Sequence, residues 1–444
     1  MKKQIGKEIT IDLGVSLRPY QMEVSRGFKR FNVLCWHRRA GKSFWGAWWL
    51  VIRACLSIAT GKRKNYQFAY VAPTKEQARK IIWDYLKDFT KNLPGIHYNE
   101  QTLTITISFP GRTTAKIFLL SAENYSSIRG MYMDGVVCDE YAEWDPRAWR
   151  TVIRQTLVDR NGWAVFIGTS HGPNHFAELY HEAEGREGWY CNKITVEDSK
   201  VIDEEELADM RKDMTDDEYA QEMMCSFAGS TEGYYYSHII EKLRESGQIL
   251  TIPFVPSIEV FTFWDLGISD YMSIWYVQKA AGQIRVLRYD EFVGKGIPEV
   301  AKIMREYPYI YGKHVLPHDG GHREVGSGRT RQASLEDIMG IGSVIVLERV
   351  GVADGINAVR ELLHECFFDK AGTELGIKRL SKYVKEFDHK TNVYNDRPKH
   401  DESSHGADGF RTFANGLRVL EYSTKRDLKK RSVRAKMDYD PFNF

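Results

Sequence analysis

The sequence predicts an α/β protein built from two unlike halves, and three observations predict it. Strand-forming runs alternate with helix-patterned segments from 31 to 168, which is the signature of a mostly parallel sheet. The stretch 260–289 instead carries three apolar strands in quick succession, a meander. Both halves place carboxylates at the ends of apolar strands, where an acid is costly unless it is paired or holds a cation. At 444 residues the chain has material for two or three cores. An apolar fraction of 43% and a charged fraction of 27% are those of an ordinary globular protein, and a net charge of +2 sets up no global field toward polyanions. The six cysteines (35, 55, 138, 191, 225, 366) are too scattered for a metal finger and read as reduced, buried thiols of a cytosolic protein. The opening MKKQIGKEITIDLG has no apolar core of signal-peptide length, and the apolar segment 44–59, interrupted by Arg53, reads as too short to cross a bilayer comfortably.

The first half is organised around FNVLCWHRRAGKS at 31–43. A strand-forming run leads into His37, Arg38 and Arg39, then into Gly41-Lys42-Ser43, which opens a long helical segment. Strand, basic loop, GKS and helix is the context of a phosphate-binding P-loop, although Trp36 stands where the full pattern has its first Gly. In such a loop the backbone N–H groups and the helix N-terminus face a polyphosphate, Lys42 reaches the β- and γ-phosphates, and the Ser43 hydroxyl ligates Mg²⁺. A GKS tripeptide alone arises by chance; the flanking elements favour the phosphate reading. Upstream, Leu17-Arg18-Pro19-Tyr20-Gln21 reads first as a helix start with Pro at N1, and secondly as a place where Tyr20 could stack on a purine and Gln21 bond its edge. A strand at 67–72 precedes a helix bearing Ala78, Ile81, Ile82, Tyr85, Leu86 and Phe89 at helical spacing. Segments 103–109 and 115–120, joined by Pro110-Gly111, form a hairpin.

The run Gly135-Val136-Val137-Cys138-Asp139-Glu140 is an apolar strand ending in two acids. Asp139 is placed to hold Mg²⁺ through water and Glu140 to polarise an attacking water as general base. A strand closing in an acidic turn is the plainer reading, and GKS upstream tips the balance to nucleotide chemistry. The strand at 163–168 ends in Thr169-Ser170, and small polar residues at such ends face the ligand crevice of a parallel sheet, so Thr169 could sense a γ-phosphate. Beyond 171 the pattern turns helical and charged, with surface helices at 203–214 and 216–227.

In the second half, VFTFWDL at 260–266 is an apolar strand carrying one acid, Asp265. Strands at 274–277 and 284–289, a helix at 298–307 and a strand at 314–317 come next, the last ending at His318-Asp319. His400-Asp401-Glu402-Ser403-Ser404-His405-Gly406-Ala407-Asp408 then runs into a late helix with Ala407, Phe410, Ala414 and Leu417 on its apolar face. Asp265, Asp319 and Asp408 converging on one point would make a hard, oxygen-only site for Mg²⁺ or Mn²⁺. Two such ions activate a water and stabilise the leaving oxygen in phosphodiester cleavage. In strand–strand–helix order this is the arrangement of an RNase H-like nuclease; singly, each acid reads as a cap or an ion-pair partner. Glu291 and Asp401 are substitutes for the second acid. His400, Asp401 and His405 read as supports of the ligands or as a third ligand, and equally as solvated loop residues. A basic run, Lys425, Arg426, Lys429, Lys430, Arg431, Arg434 and Lys436, reads as a solvated tail or as a segment docking on phosphates or a partner.

Together these motifs resemble the large terminase subunit of tailed bacteriophages, from Leu17 to about Leu420. The resemblance implies a RecA-like P-loop ATPase domain at 1–250, with a helical subdomain at about 171–250, an RNase H-like nuclease domain at 251–422 and a basic tail at 423–444. HRRAGKS resembles the family's variant Walker A, which often lacks the first Gly and carries an Arg three residues before the second, here Arg38. Arg39 stands where Gln is common, leaving Arg38 and Arg39 both open as phosphate contacts. VVCDE resembles Walker B, Gly168-Thr169-Ser170 the coupling motif, and Leu17 to Gln21 the adenine-recognition motif. Ile128-Arg129-Gly130 resembles the segment that supplies an arginine finger in trans. Glu218-Tyr219, Gln221-Glu222 and Phe227 resemble the family's subdomain sequence. SSHGADGFR resembles the final nuclease motif and puts Asp408 at the metals, with Asp265 and Asp319 following by position. The implied protein is a viral packaging motor subunit in the host cytoplasm, with ATP and Mg²⁺ (or Mn²⁺ at the nuclease) as cofactors. Duplex DNA, a small terminase subunit and a portal or procapsid are the implied partners, a homo-oligomeric ring the implied assembly, and no membrane is involved. The alternatives are a superfamily 2-type helicase, which needs a second RecA-like lobe where 255–420 offers a meander, and a nucleotide-binding structural capsid-associated protein.

Overall fold

The structure, a computed structural model, describes residues 13–61, 63–229, 233–267, 271–323, 328–388 and 393–437, and divides into two compact units, Met1–Phe227 and Ala228–Phe444. The first unit is built on an eight-stranded sheet: β1 (Phe31–Trp36), β2 (Asn65–Ala72), β3 (Ile96–Asn99), β4 (Thr104–Ser108), β5 (Thr114–Ser121), β6 (Gly135–Cys138), β7 (Trp163–Gly168) and β8 (Trp189–Ile194), in the order β3-β4-β5-β2-β6-β7-β1-β8. The six strands from β5 to β8 run parallel, and the hairpin β3–β4 adds an antiparallel margin. Parallel strands covered on both faces read as continuous apolar runs. In β1, Leu34 and Trp36 enter one core and Val33 and Cys35 the other. The helix Lys42–Thr60 fills the first core with Trp45, Leu50, Ala54 and Ile58. By length and composition this helix could cross a membrane, contrary to the expectation that it is too short; its burial in the core accounts for its apolar character. The helices Glu204–Asp213 and Asp216–Glu222 bury no residue, which agrees with their charged sequences.

The second unit has a seven-stranded sheet: β9 (Ile249–Leu250), β10 (Val260–Asp265), β11 (Tyr271–Ala280), β12 (Gln283–Val293), β13 (Tyr311–Leu316), β14 (Val344–Val346) and β15 (Cys366–Asp369), ordered β14-β13-β10-β11-β12-β15-β9. The meander β10–β11–β12 is antiparallel, and β13 and β14 extend it in parallel from the β10 side. Phe263 and Trp275 face a core shared with the helices Ser237–Glu245, Val352–Leu363, Glu374–Lys382 and Glu402–Met437. Trp264 and Ile274 face the opposite core, shared with the helices Ile297–Met304 and Arg331–Met339. The long helix Glu402–Met437 lies close on the sheet because glycines face it. A Cβ on Gly409 would stand 2.7 Å from Ser273 Oγ, and one on Gly416 2.7 Å from Val315 Cγ1.

Two boundaries differ from the sequence reading. The compact units divide after Phe227, and Tyr235, Tyr236, Ile239 and Ile240, read as part of the first half, pack in the second unit's core. The basic run from Lys425 to Lys436 continues the helix Glu402–Met437; residues 438–444 of the expected tail lie outside the described residues.

Candidate nucleotide and metal sites

Because β1, β6 and β7 are parallel neighbours in the order β6-β7-β1, the residues after each strand emerge at one edge of the sheet. The loop after β1 is held from several sides. His37 donates its backbone N–H to the Ile194 carbonyl at 2.9 Å, and its Nε2 lies 2.7 Å from Ser199 Oγ. Burial pushes the His37 imidazole down to about 4, so it is neutral here. Arg38 donates its backbone N–H to the Glu222 carbonyl at 2.9 Å, while the Arg38 and Arg39 side chains are exposed. Arg39 (φ 73°) and Gly41 (φ 78°) both take left-handed backbone, which turns the loop tightly into the helix Lys42–Thr60. Tyr20 donates to the Ala40 carbonyl at 2.7 Å, and Gln21 places its amide nitrogen 3.4 Å from the Gly41 carbonyl. The helix Pro19–Gly27, with Pro at N1, thus braces the loop, and Gln21 is buried against it.

Within this loop Lys42 donates to the His37 carbonyl at 3.3 Å and lies 3.9 Å from Glu140 Oε1. The Ser43 hydroxyl is 3.4 Å from Asp139 Oδ1, and the Tyr70 hydroxyl donates to Asp139 Oδ2 at 2.6 Å. Glu140 has left-handed backbone (φ 43°), donates its N–H to Asp139 Oδ1 and accepts the Thr169 N–H at 3.3 Å. Burial, reinforced by the neighbouring Glu140 charge, raises the Asp139 carboxyl to about 7. Lys42, Ser43, Asp139, Glu140 and Thr169 therefore meet at one corner. Arg129 does not join them within the chain; it is exposed after the turn Tyr125–Ile128.

In the second unit, Asp265 closes β10, Asp319 lies in the turn His318–Gly321 after β13, and Asp408 stands in the second turn of the long helix. Parallel pairing of β10 and β13 brings the first two to one edge. His405 Nδ1 is 3.3 Å from Asp265 Oδ2. Arg331 donates to Asp319 at 3.1 Å and approaches the Leu266 carbonyl at 3.4 Å, and Arg411 donates to Asp408 at 2.5 Å. Burial raises Asp265, with the Asp319 charge adding to it against His405. Burial also raises Asp408 to about 6, where Arg411 opposes and Asp265 reinforces the shift. Glu291 is elsewhere engaged: Arg379 grips both its oxygens at 2.8 and 2.9 Å, and Tyr289 donates to it at 2.6 Å. Asp401 caps the Ser403 N–H at 2.9 Å and pairs with Lys399 at 3.5 Å.

The donor chemistry at both corners suits a hard divalent cation: burial raises Asp139, Asp265 and Asp408, and a neighbouring carboxylate adds to each shift. Ser43 and Asp139 would hold one ion beside a polyphosphate; Asp265, Asp319 and Asp408 would hold those of the second unit. As placed, the latter three are electrostatic neighbours and not a closed ligand set: among the described residues no group of three or more His, Cys, Asp or Glu is gathered around one point. Three basic partners hold these acids. The sequence leaves His405 open between a support, a ligand and a solvated loop residue, and the structure sets it against Asp265. Arg331 and Arg411 escape the sequence reading. Arg411 alone carries a local signal, three residues after Asp408 on a helix.

The fold and these corners define the class: an α/β protein in which a RecA-like P-loop domain is followed by an RNase H-like domain. Residues 37–242 match the family model described as terminase large subunit, T4likevirus-type, N-terminal. The terminase large subunit of Thermus virus P23-45 is 26% identical over 183 residues, 38% of this chain and 36% of that protein. That of Escherichia phage T5 is 27% identical over 203 residues, 45% of this chain and 44% of that protein, so less than half of either relative's length is matched. Among solved structures, the large terminase of bacteriophage HK97 superposes with a TM-score of 0.45 at 12% identity, over 90% of this chain and 94% of that one. Over the matched residues the chain is similar to phage large terminase subunits.

Proposed function

We propose that the protein is the ATPase and nuclease subunit of a viral DNA-packaging motor. The observation that carries the first activity is the meeting of Lys42, Ser43, Asp139, Glu140 and Thr169 at one edge of one parallel sheet. ATP binds with its phosphates on the 37–43 loop, Lys42 neutralises charge, and Ser43 and Asp139 hold the Mg²⁺. Glu140 orients the water, and Thr169 reads its position through the backbone bond to Glu140. Arg38 and Arg39 are exposed in the loop itself and serve as further phosphate contacts. Arg129, exposed after the turn Tyr125–Ile128, completes a neighbouring subunit's site in a homo-oligomeric ring. In the second unit, Asp265, Asp319 and Asp408 bind Mg²⁺ or Mn²⁺ and cut duplex DNA with little sequence preference. The substrate is concatemeric viral DNA in the host cytoplasm, moved into a procapsid through the portal and delivered with the small terminase subunit. A helicase is disfavoured because the second unit's sheet begins as an antiparallel meander.

The testing experiment pairs ATP turnover with plasmid cleavage in Mg²⁺ or Mn²⁺. Wild type is expected to do both. A protein that hydrolyses no ATP and cuts no DNA, alone or with portal and small subunit, overturns the proposal.

A further inference from the structure

We propose that Tyr70 is a positioning residue of the P-loop corner: its hydroxyl fixes the Asp139 carboxylate with Oδ1 turned toward Ser43, and so governs how tightly the Mg²⁺ of a nucleotide complex is held. The inference rests on the nucleotide reading of this corner. Tyr70 lies on β2, which pairs in parallel with β6 so that Tyr70 stands beside Val137, two residues before Asp139. The ring is fully buried and the hydroxyl reaches Asp139 Oδ2 at 2.6 Å. That length belongs to a charge-assisted bond from a hydroxyl to a carboxylate. The other oxygen, Oδ1, meets Ser43 Oγ at 3.4 Å and the Glu140 N–H at 3.1 Å. The two oxygens are thus assigned different partners, and any swing of the carboxylate breaks the short bond first. The cation of the corner, Lys42, is directed to Glu140 and not to Asp139. Tyr70 therefore makes the shortest side-chain bond to this buried acid and, with the Oδ1 partners, sets its orientation before a metal arrives. The ring edge lies 3.5 Å from the position of a Cβ on Gly46, an ordinary contact that phenylalanine would keep.

The test uses the full chain, a fluorescent ADP analogue with Mg²⁺ or with EDTA, and Mn²⁺ binding in the presence of ADP by electron paramagnetic resonance. For Tyr70→Phe, analogue affinity in EDTA is expected to equal that of wild type. The Mg²⁺ concentration for half-maximal binding is expected to rise about tenfold, and Mn²⁺ affinity to fall by a similar factor, the scale of a lost hydrogen bond to a charged group. Unchanged metal dependence overturns the inference. Should Tyr70→Phe fail to fold, 3-fluorotyrosine at position 70, a stronger donor, is expected to tighten Mg²⁺ dependence, and no change there overturns it equally. Lys42→Ala is measured alongside. If wild type binds no Mg²⁺-nucleotide, or Lys42→Ala binds it as well as wild type, the nucleotide reading itself falls and Tyr70's role with it. If those two behave as expected and Tyr70→Phe matches wild type, only the role of Tyr70 falls.

Discussion

Lys42 Nζ lies 3.9 Å from Glu140 Oε1, across the intervening strand β7, while donating to the carbonyl of its own loop residue His37. At this separation the pair is an attraction without a hydrogen bond. A triphosphate offers Lys42 denser negative charge and releases Glu140 to a water. Lys42→Ala is therefore expected to lose ATP turnover by about a hundredfold or more. Glu140→Gln should keep nucleotide binding while losing about 10²–10⁴-fold in turnover, the usual worth of a general base. A coupled phosphate-release assay with parallel nucleotide binding checks both, and wild-type turnover in Lys42→Ala would remove the P-loop assignment.

Asp139 makes a prediction about stability. Its carboxyl is raised to about 7, above its ordinary value near 4, so the folded state holds a proton that the unfolded chain has released. The stability tied to that proton is present at low pH and is lost as pH rises to about 7, above which the buried charge is carried in full. Asp139→Asn keeps the shape and an acceptor for Tyr70 without the charge. Metal-free urea unfolding should show the variant more stable than wild type by about 2–4 kcal/mol at pH 8, with a much smaller gain at pH 5. Equal gains at both pH values would mean that the raised ionisation is not the cause.

The Arg379–Glu291 pair is almost wholly buried, with a fork of two bonds and Tyr289 as a third partner. It abuts the start of the long helix, where a Cβ on Gly406 would meet Arg379 Cβ at 2.7 Å. Removing Glu291 leaves Arg379 only its pair with the more exposed Glu402, at a cost of up to about 3–5 kcal/mol. Glu291→Ala should lower the unfolding free energy of the second unit by that measure, read by urea denaturation. A stable Glu291→Ala protein that loses only cleavage would return Glu291 to the set of metal-binding acids.

The strongly patterned parts of this architecture are legible in the sequence. β1 is visible because both its faces are buried and the run is apolar but for Asn32; the meander β10–β12 is visible from short apolar runs separated by turn residues. β8 does not stand out: Trp189 to Asn192 are only half-buried at the edge of the sheet, and polar residues interrupt the run. The strands β14 and β15, three and four residues long, carry too little pattern. The boundary at Phe227 is hidden because Tyr235, Tyr236 and Ile239 carry no mark of which core they join. Within the sites, Asp139, Glu140, Asp265 and Asp319 can be picked by their place at the ends of apolar strands, and Asp408 by its place early in a late helix. Tyr70, Arg331 and Arg379 cannot, since their partners lie 69, 12 and 88 residues away in the chain and only the folded sheet brings them together.

The second-unit acids are best tested with the basic groups that hold them in mind. Asp408→Ala would strand Arg411, whose Nε is already buried without a partner, and would confuse loss of metal binding with loss of fold. Asp408→Asn and Asp265→Asn keep an acceptor for Arg411 and His405 while removing the charge a cation requires. Both are expected to cut plasmid at least about a hundredfold more slowly than wild type in Mg²⁺ or Mn²⁺, because each removes a ligand charge from a site built on several. ATP turnover should stay within about twofold of wild type, since neither substitution touches the P-loop corner. The metal dependence should also be steep. Until ions arrive, Asp319 and Asp408 are neutralised by Arg331 and Arg411, so a divalent ion must displace or share those contacts to gather the three acids. Arg331→Ala, which frees Asp319, is then expected to lower the Mn²⁺ concentration needed for the acids to bind metal, measured by calorimetry on the full chain without DNA. If Arg331→Ala instead abolishes Mn²⁺ binding, Arg331 holds Asp319 in its binding position and is not its competitor. If both Asn variants cut like wild type, Asp265 and Asp408 are not the site of cleavage.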